Sequence, residues 1–441
     1  MITRNFAGFL VLVLAGAALV VAAFGQQMPS VTTVPAAAQA SANFKVDAAT
    51  EAYIAQIPPE AKTRSDAYFE GGYWLQLWDF LVACAISLLL LQGRWSARMR
   101  DFAERMTRFR PLQTAIYWIE YLLLTTLLGF PLAVYEGYTR EHQYGLATQT
   151  FGPWMGDQFK GLLVNLVLGC GFAIVLFAIV KRLERTWWIW GAIVAEVLLA
   201  LVVLITPVYL VPIFNTVTPL NDPRLTQPIL SMARANGIPA KEVYEVDASK
   251  QTTRMSANVS GLGKTMRITL NDNLVKRGSP GEVQAVMGHE MGHYVLGHVP
   301  QLLTAFLIFA FAAFGFLRWG LDWSLRRWGQ VWQIRGIGDP AVLPLVALLA
   351  SIFFFVLTPV LNTYIRNQEH EADMYGINAS RQPDGFAQAA IHLAEYRKMR
   401  PGPIEEWLFF DHPSGYRRIH DAMQWKAENL DVKHPLAGAF R

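Results

Sequence analysis

The residues best suited to chemistry in this chain are two histidines and a glutamate in the segment His289-Glu290-Met291-Gly292-His293. Side chains four positions apart on an α-helix are turned only about 40° from each other, so both imidazoles can bind one Zn²⁺. Glu290 lies over the same site, where it can take a proton from a water molecule and pass it to a leaving amine. The segment therefore predicts a zinc centre that hydrolyses peptide bonds.

The residues before this motif predict the helix that carries it. The segment 279–282, Ser-Pro-Gly-Glu, is a capping box with Pro at the first helical position, and the helix should run to about His298. Gly288 and Gly292 each cost about 1 kcal/mol relative to Ala inside a helix, so we expect another element to approach closely there. A chance match to the motif is expected roughly once in a hundred chains of this kind, and a capped helix favours the metal interpretation.

Two histidines leave a catalytic zinc without its usual third protein ligand. The candidate segment is Glu369-His370-Glu371-Ala372-Asp373, which continues helically from an apolar run. Glu369 and Asp373 share a helix face, whereas Glu371 points about 200° away from Glu369. We therefore predict Glu369 as the third ligand of one Zn²⁺ per chain and Asp373 as the acceptor for the second ring N–H of a ligating histidine. Taken alone, this segment also fits a solvated acidic helix end.

Lipid is the predicted solvent for much of the chain, which is 53% hydrophobic and 16% charged. A net charge of +4, scattered between apolar segments, gives no indication of nucleic-acid binding. Seven runs approach or exceed the roughly 20 residues that cross a bilayer. They lie near residues 6–24, 74–92, 112–135, 160–180, 187–213, 301–319 and 341–363. The first run fits an uncleaved anchor better than a signal peptide.

The polar sequence between the runs predicts how the protein is organised. We expect a membrane domain at 1–213, a soluble half with the metal-binding helix at 214–300, a membrane hairpin at 301–363 and a second soluble half at 364–441. A helix from Pro223 to Gly237 and strands at 243–247, 253–260 and 266–271 are predicted in the first soluble half. The fold class is mainly α, a seven-transmembrane helix bundle with a zincin-type domain that contains a small β-sheet.

The loops predict an orientation. Residues 94–110, 181–185 and 318–335 hold six, three and four Lys or Arg, and all three loops fall on one face if seven spans alternate. This face is cytoplasmic under the positive-inside rule. The soluble halves would then lie on the opposite side of a bacterial inner membrane.

At this point the chain resembles the type I CAAX prenyl proteases, which are integral-membrane zinc endopeptidases. The resemblance rests on the His-Glu-x-x-His helix, the later Glu-x-x-Ala-Asp segment and a late His-Pro-Ser segment. It also covers the seven apolar runs. Related bacterial and mitochondrial membrane quality-control peptidases share these motifs.

The resemblance implies roles for residues that the chemistry alone does not single out. His412 would donate a hydrogen bond to the transition state, and Arg418 would support the site through acidic partners. The strand at 253–260 would be a free edge that pairs with the substrate backbone, with Ser256, Ala257 and Asn258 as substrate contacts. Ser256 stands where the family usually has Asn, so the register of these contacts is uncertain.

The expected partners are peptide or protein substrates, lipid-modified ones if the resemblance extends to them, and membrane lipids. A quality-control peptidase is one alternative, and a transporter or assembly factor with a structural zinc is another. The second alternative leaves Glu290 without a role, because Glu290 is not a predicted ligand. A structural zinc site is usually closed by four protein ligands and needs no general base. The resemblance suggests a cytoplasmic active site, whereas the loop charges suggest the opposite face. His298, His370 and His392 are interpreted as ordinary residues.

Overall fold

The computed structural model describes residues 33–261 and 266–429. Within these residues, six helices are long and apolar enough to cross a membrane. They correspond to six of the seven predicted runs, and the run at 6–24 lies outside the described residues. The predicted fold class is confirmed: the described chain is mainly helical and carries one small mixed sheet.

The described α-helices of more than four residues are α1 (Val46–Ile54), α2 (Pro59–Gln92), α3 (Trp95–Met106), α4 (Arg110–Val134), α5 (Phe151–Arg182), α6 (Trp187–Ile205), α7 (Pro223–Ala235), α8 (Asp272–Arg277), α9 (Pro280–Val295), α10 (His298–Trp332), α11 (Leu343–Ser380), α12 (Pro383–Leu393), α13 (Pro403–Phe409) and α14 (Gly415–Glu428). Helices α4 and α6 continue through π-helical turns at Tyr135–Arg140 and Thr206–Leu210. The strands are β1 (Val217–Pro219), β2 (Val243–Val246), β3 (Ala257–Ser260) and β4 (Arg267–Asn271).

Local sequence signals determine where the metal-motif helix α9 begins and ends. The Ser279 side chain accepts from the Glu282 backbone N–H, and the Glu282 carboxylate accepts from the Ser279 N–H, so the predicted capping box is present. The helix ends at Val295, because Gly297 adopts a left-handed conformation with φ +71°. The predicted end near His298 was therefore three residues too late, and His298 instead begins α10.

The four strands form a sheet in the order β1-β2-β4-β3. Strand β2 pairs parallel with β4, whereas the other two pairs are antiparallel. The predicted strand at 253–260 is shorter than expected and begins at Ala257. In the described part of the chain β3 has one strand neighbour, so its other edge is free to pair.

Glycines allow α9 to pack directly against α11. A Cβ atom on Gly288 would lie 2.7 Å from the carbonyl oxygen of Gly376, and a Cβ atom on Gly376 would lie 2.5 Å from the backbone nitrogen of His289. Real Cβ atoms essentially never approach so closely, so both positions require Gly. The close approach expected from Gly288 is thus made to α11, and it brings two candidate ligands within reach of Glu369.

The three basic loops meet at the end of the bundle opposite this contact. Arg94 Nε donates to the Val331 carbonyl at 2.9 Å, and Arg318 Nη1 donates to the Arg185 carbonyl at 3.1 Å. Helix α10 has 35 residues and connects the two ends, which separates them by roughly 50 Å along its axis.

Candidate active site

Helices α9 and α11 bring together three side chains with metal-binding atoms. His289 Nε2 and His293 Nε2 lie 3.1 Å apart, as one helical turn places them. Glu369 faces both rings, with Oε2 at 3.3 Å from His289 Nε2 and Oε1 at 3.5 Å from His293 Nε2. The ligand atoms of all three residues lie within 4.8 Å of one another. This is the arrangement of a three-ligand metal site that leaves a coordination position open.

The chemistry of this donor set fits zinc. No donor among the described residues is aligned to hydrogen-bond the buried Oε2 of Glu369. Two imidazoles and one carboxylate on two helices form the combination found in many catalytic zinc sites.

Glu290 lines a cavity of about 270 Å³ next to the three-residue cluster. His289, Glu369, His412 and Arg418 line the same cavity. Burial raises the pKa of Glu290 to about 7, so the carboxylate can accept and release a proton near neutral pH. Glu290 lies beside the cluster and is not one of its three metal-binding residues, which suits a general base.

Asp373 connects the cluster to the last described helix. Its Oδ1 lies 2.8 Å from His289 Nδ1, on the ring side away from Glu369. Arg418 on α14 binds the same carboxylate with two N–H groups, one of them at 2.9 Å from Oδ2. Both side chains are buried, so each charge depends on the other for stabilisation. The pair lies where it can orient the His289 ring.

His412 reaches the cluster from the turn between α13 and α14. Its Nε2 lies 3.1 Å from Glu369 Oε2, and its Nδ1 lies 2.8 Å from Asp411 Oδ1. The side chain remains 24% exposed and lines the cavity, so it can also face a substrate. Nothing in the local sequence around His412 indicates this contact, because it joins residues 43 positions apart.

His298 is a site residue that the sequence analysis interpreted as ordinary. It is 3% exposed, and its Nδ1 lies 2.9 Å from the Nδ1 of His293. Its Nε2 lies 3.3 Å from the Glu371 carboxylate. His298 therefore supports His293 from the ring side that faces away from the cluster, as Asp373 supports His289. The sequence signal for this contact was a histidine five residues after His293. The contact also needs the chain to reverse at Gly297, which brings the His298 ring back to His293.

The predicted substrate contacts divide between two cavities. Ser256 and Ala257 line both the cavity that contains Glu290 and a second cavity of about 150 Å³, whereas Asn258 lines the second cavity and not the first. Tyr396 and Arg397 also line the first cavity, and the sequence analysis missed them. They follow α12 in an irregular segment without a motif, so only the folded chain places them there.

Two family models together match most of the chain. Residues 219–426 match the model described as peptidase family M48, and residues 42–216 match the model described as CAAX prenyl protease N-terminal, five membrane helices. The first match contains every residue of the cluster.

Relatives and a solved structure agree with these models. The chain is 31% identical to the uncharacterized metalloprotease YhfN of Bacillus subtilis over 76% of this chain and 79% of that protein. It is 28% identical to CAAX prenyl protease 1 of Saccharomyces cerevisiae over 67% of this chain and 69% of that one. The crystal structure of S. mikatae Ste24p shares the fold with a TM-score of 0.71 at 22% identity, covering 83% of this chain and 89% of that chain.

Proposed function

We propose that this chain, which belongs to peptidase family M48 and is a multi-pass membrane metallopeptidase, is a zinc endopeptidase that cleaves membrane-associated, CAAX-type proteins. The observation that carries the proposal is the convergence of His289, His293 and Glu369 next to the cavity that Glu290 lines. A zinc ion bound to the three residues would supply Lewis acidity and lower the pKa of a water molecule towards neutrality.

The side chains around the cluster supply the remaining chemistry. Glu290 takes a proton from the attacking water and delivers it to the leaving amine. His412 donates a hydrogen bond to the carbonyl oxygen of the scissile bond as negative charge develops on it. Asp373 and Arg418 hold His289 in the tautomer that presents Nε2 to the metal.

The free edge of β3 supports binding of an extended peptide. A substrate strand paired with this edge would be recognised through its main chain, and Ser256 and Ala257 would lie alongside it. Because main-chain pairing tolerates many side chains, the cavity at Tyr396 and Arg397 is the part of the site that can select among them.

The relatives named CAAX prenyl protease motivate the lipid-modified substrate class. A farnesylated peptide that ends in a CAAX sequence and the same peptide without the lipid provide the test. We expect the purified enzyme in bilayers to cleave the lipidated peptide faster, with the product masses locating the broken bond. Equal cleavage of both peptides would remove the lipid from the proposal and leave the peptidase activity intact.

A second candidate is quality control of membrane proteins in a bacterial inner membrane. The observation that favours it is the meeting of the basic loops at the bundle end opposite the cluster. Under the positive-inside rule the cluster would lie outside the cytoplasm. A reporter enzyme fused after Arg441 tests this orientation: activity of a reporter that works only in the cytoplasm removes the observation that favours this candidate, and activity of one that works only outside supports it.

A further inference from the structure

The short helix α13 exposes its apolar residues and turns its acidic residues inwards. Ile404 is 73% exposed and Trp407 is 51% exposed, whereas Phe410, directly after the helix, is buried. A surface helix in water has the opposite arrangement, with its apolar stripe against the protein. The exposed face of α13 is therefore suited to a solvent other than water.

Polar contacts fix the rotation of α13 about its axis. Glu405 accepts hydrogen bonds from the Tyr73 hydroxyl and from Lys398 Nζ, both at 2.8 Å. Glu406 Oε1 accepts from the backbone N–H of Ser414 at 3.4 Å. Because both carboxylates have partners inside the protein, α13 cannot turn Ile404 and Trp407 inwards without breaking these bonds.

Two independent membrane boundaries coincide at this helix. Tyr73, which also stacks on Phe409 with ring centroids 3.9 Å apart, precedes the apolar run at 74–92. Asn362, which donates to the Leu408 carbonyl at 2.9 Å, lies at the end of the run at 341–363. Helix α13 is thus attached where one span begins and another ends.

The exposed face of α13 is continuous with the outer surface of these spans. Trp74 on α2 is 64% exposed, and Val356 on α11 is 72% exposed. A cavity of about 590 Å³ connects the three helices and has a largely apolar lining, which includes Trp74, Val356, Leu408 and Phe409. Tryptophan is enriched at the level where lipid headgroups meet the acyl chains, and two exposed tryptophans, Trp74 and Trp407, lie on this surface.

We infer that α13 lies in the membrane–water interface, with Ile404 and Trp407 inserted into the lipid. Interfacial helices bury their apolar face roughly 5–10 Å below the headgroup boundary. Arg366 Nη1 ties the end of α13 to α11 by donating to the carbonyls of Glu406 at 2.8 Å and Phe410 at 2.5 Å. The turn that carries His412 begins directly after this anchor. The bilayer therefore sets the depth of one wall of the cavity.

A spin label measures this depth without relying on metal or activity. The native cysteines are replaced (Cys84→Ala, Cys170→Ala), and a nitroxide is attached to Ile404→Cys in phospholipid bilayer discs. Matched controls carry the label at Val356→Cys on a span and at Gln424→Cys on the exposed side of α14. We expect the ratio of collision rates with oxygen and with a water-soluble nickel chelate to be several-fold higher at 404 than at 424, and to approach that at 356.

Two results would overturn the inference. A ratio at 404 equal to that at 424 would place α13 in water. Protection of the label from both reagents would mean that protein covers this face, for example the segment 1–32. If Ile404→Cys does not yield folded protein, Trp407→Cys tests the same face with the same controls and the same outcomes.

Discussion

At the residue scale, the two glutamates of the α11 segment should have separable effects. Glu369 points at both histidines, whereas Glu371 is 59% exposed and contacts His298 alone among the site residues. Glu369→Ala should lose the metal and the activity together, because a two-histidine site lacks a third ligand. Glu371→Ala should keep its metal and most of its activity. Metal analysis by mass spectrometry checks both variants, and the reverse pattern would reject Glu369 as a ligand.

His298 should act as a positioning residue for His293. His298→Ala removes the partner of the His293 Nδ1 atom, and loss of such a partner typically weakens metal binding by about 10–100-fold. His298→Gln can still hydrogen-bond there and should recover part of the affinity. Competition with a chelator of known affinity measures this change independently of turnover. Unchanged zinc affinity in the alanine variant would show that His298 serves packing alone.

His412 should affect turnover without affecting the metal. Its proposed hydrogen bond forms mainly in the transition state, so His412→Ala should lower kcat by about 10²–10³-fold and change KM little. His412 is 24% exposed and is not one of the three predicted ligands, so zinc content and thermal stability should match the wild type. Lost zinc would instead identify a structural role, and an unchanged kcat would also weaken the role assigned to Arg418.

At the element scale, the contact between α9 and α11 determines whether the ligands converge. Gly288→Ala places a methyl group 2.7 Å from the Gly376 carbonyl oxygen and should separate the helices. We expect a loss of about 1–3 kcal/mol in stability and weaker zinc binding. Gly161→Ala in α5, where nothing lies within 4 Å, is the matched control and should be neutral or stabilising by up to about 1 kcal/mol. Thermal melts with and without chelator distinguish the two variants, and equal melting temperatures would contradict the packing argument.

The helices and strands also differ in how well the sequence predicts them. Capping residues and β-branched runs act on the backbone next to them, so α7, α9 and three strands were predicted to within a few residues. Strand β1 was missed because it has three residues and pairs with a segment nearly thirty positions away. His298 and Arg397 were missed for the same reason, since tertiary packing places them. The roles given to the predicted site residues, and the predicted domain boundaries, stay predictions.

At the scale of the whole molecule, a helical membrane bundle carries the candidate metallopeptidase site at one of its ends. The expected family is confirmed by matches to models that together cover residues 42–216 and 219–426. The apolar runs could be predicted from composition alone, because each span needs about 20 apolar residues to cross a bilayer. The site could not be predicted from composition. The membrane face on which the site opens depends on the charge of the loops. Loop charge acts during membrane insertion, and the charged loop residues make few contacts in the folded chain.

The most direct test of the central claim compares wild type with Glu290→Gln in bilayers, measuring zinc per chain and peptide cleavage on the same samples. The account predicts about one zinc per chain in both proteins, because Glu290 is beside the ligand set and not in it. It predicts cleavage by the wild type and none by the variant, since the amide cannot take the proton from water. A variant that cleaves peptide at the normal rate, or a wild type that binds no zinc when supplied with it, would contradict the account.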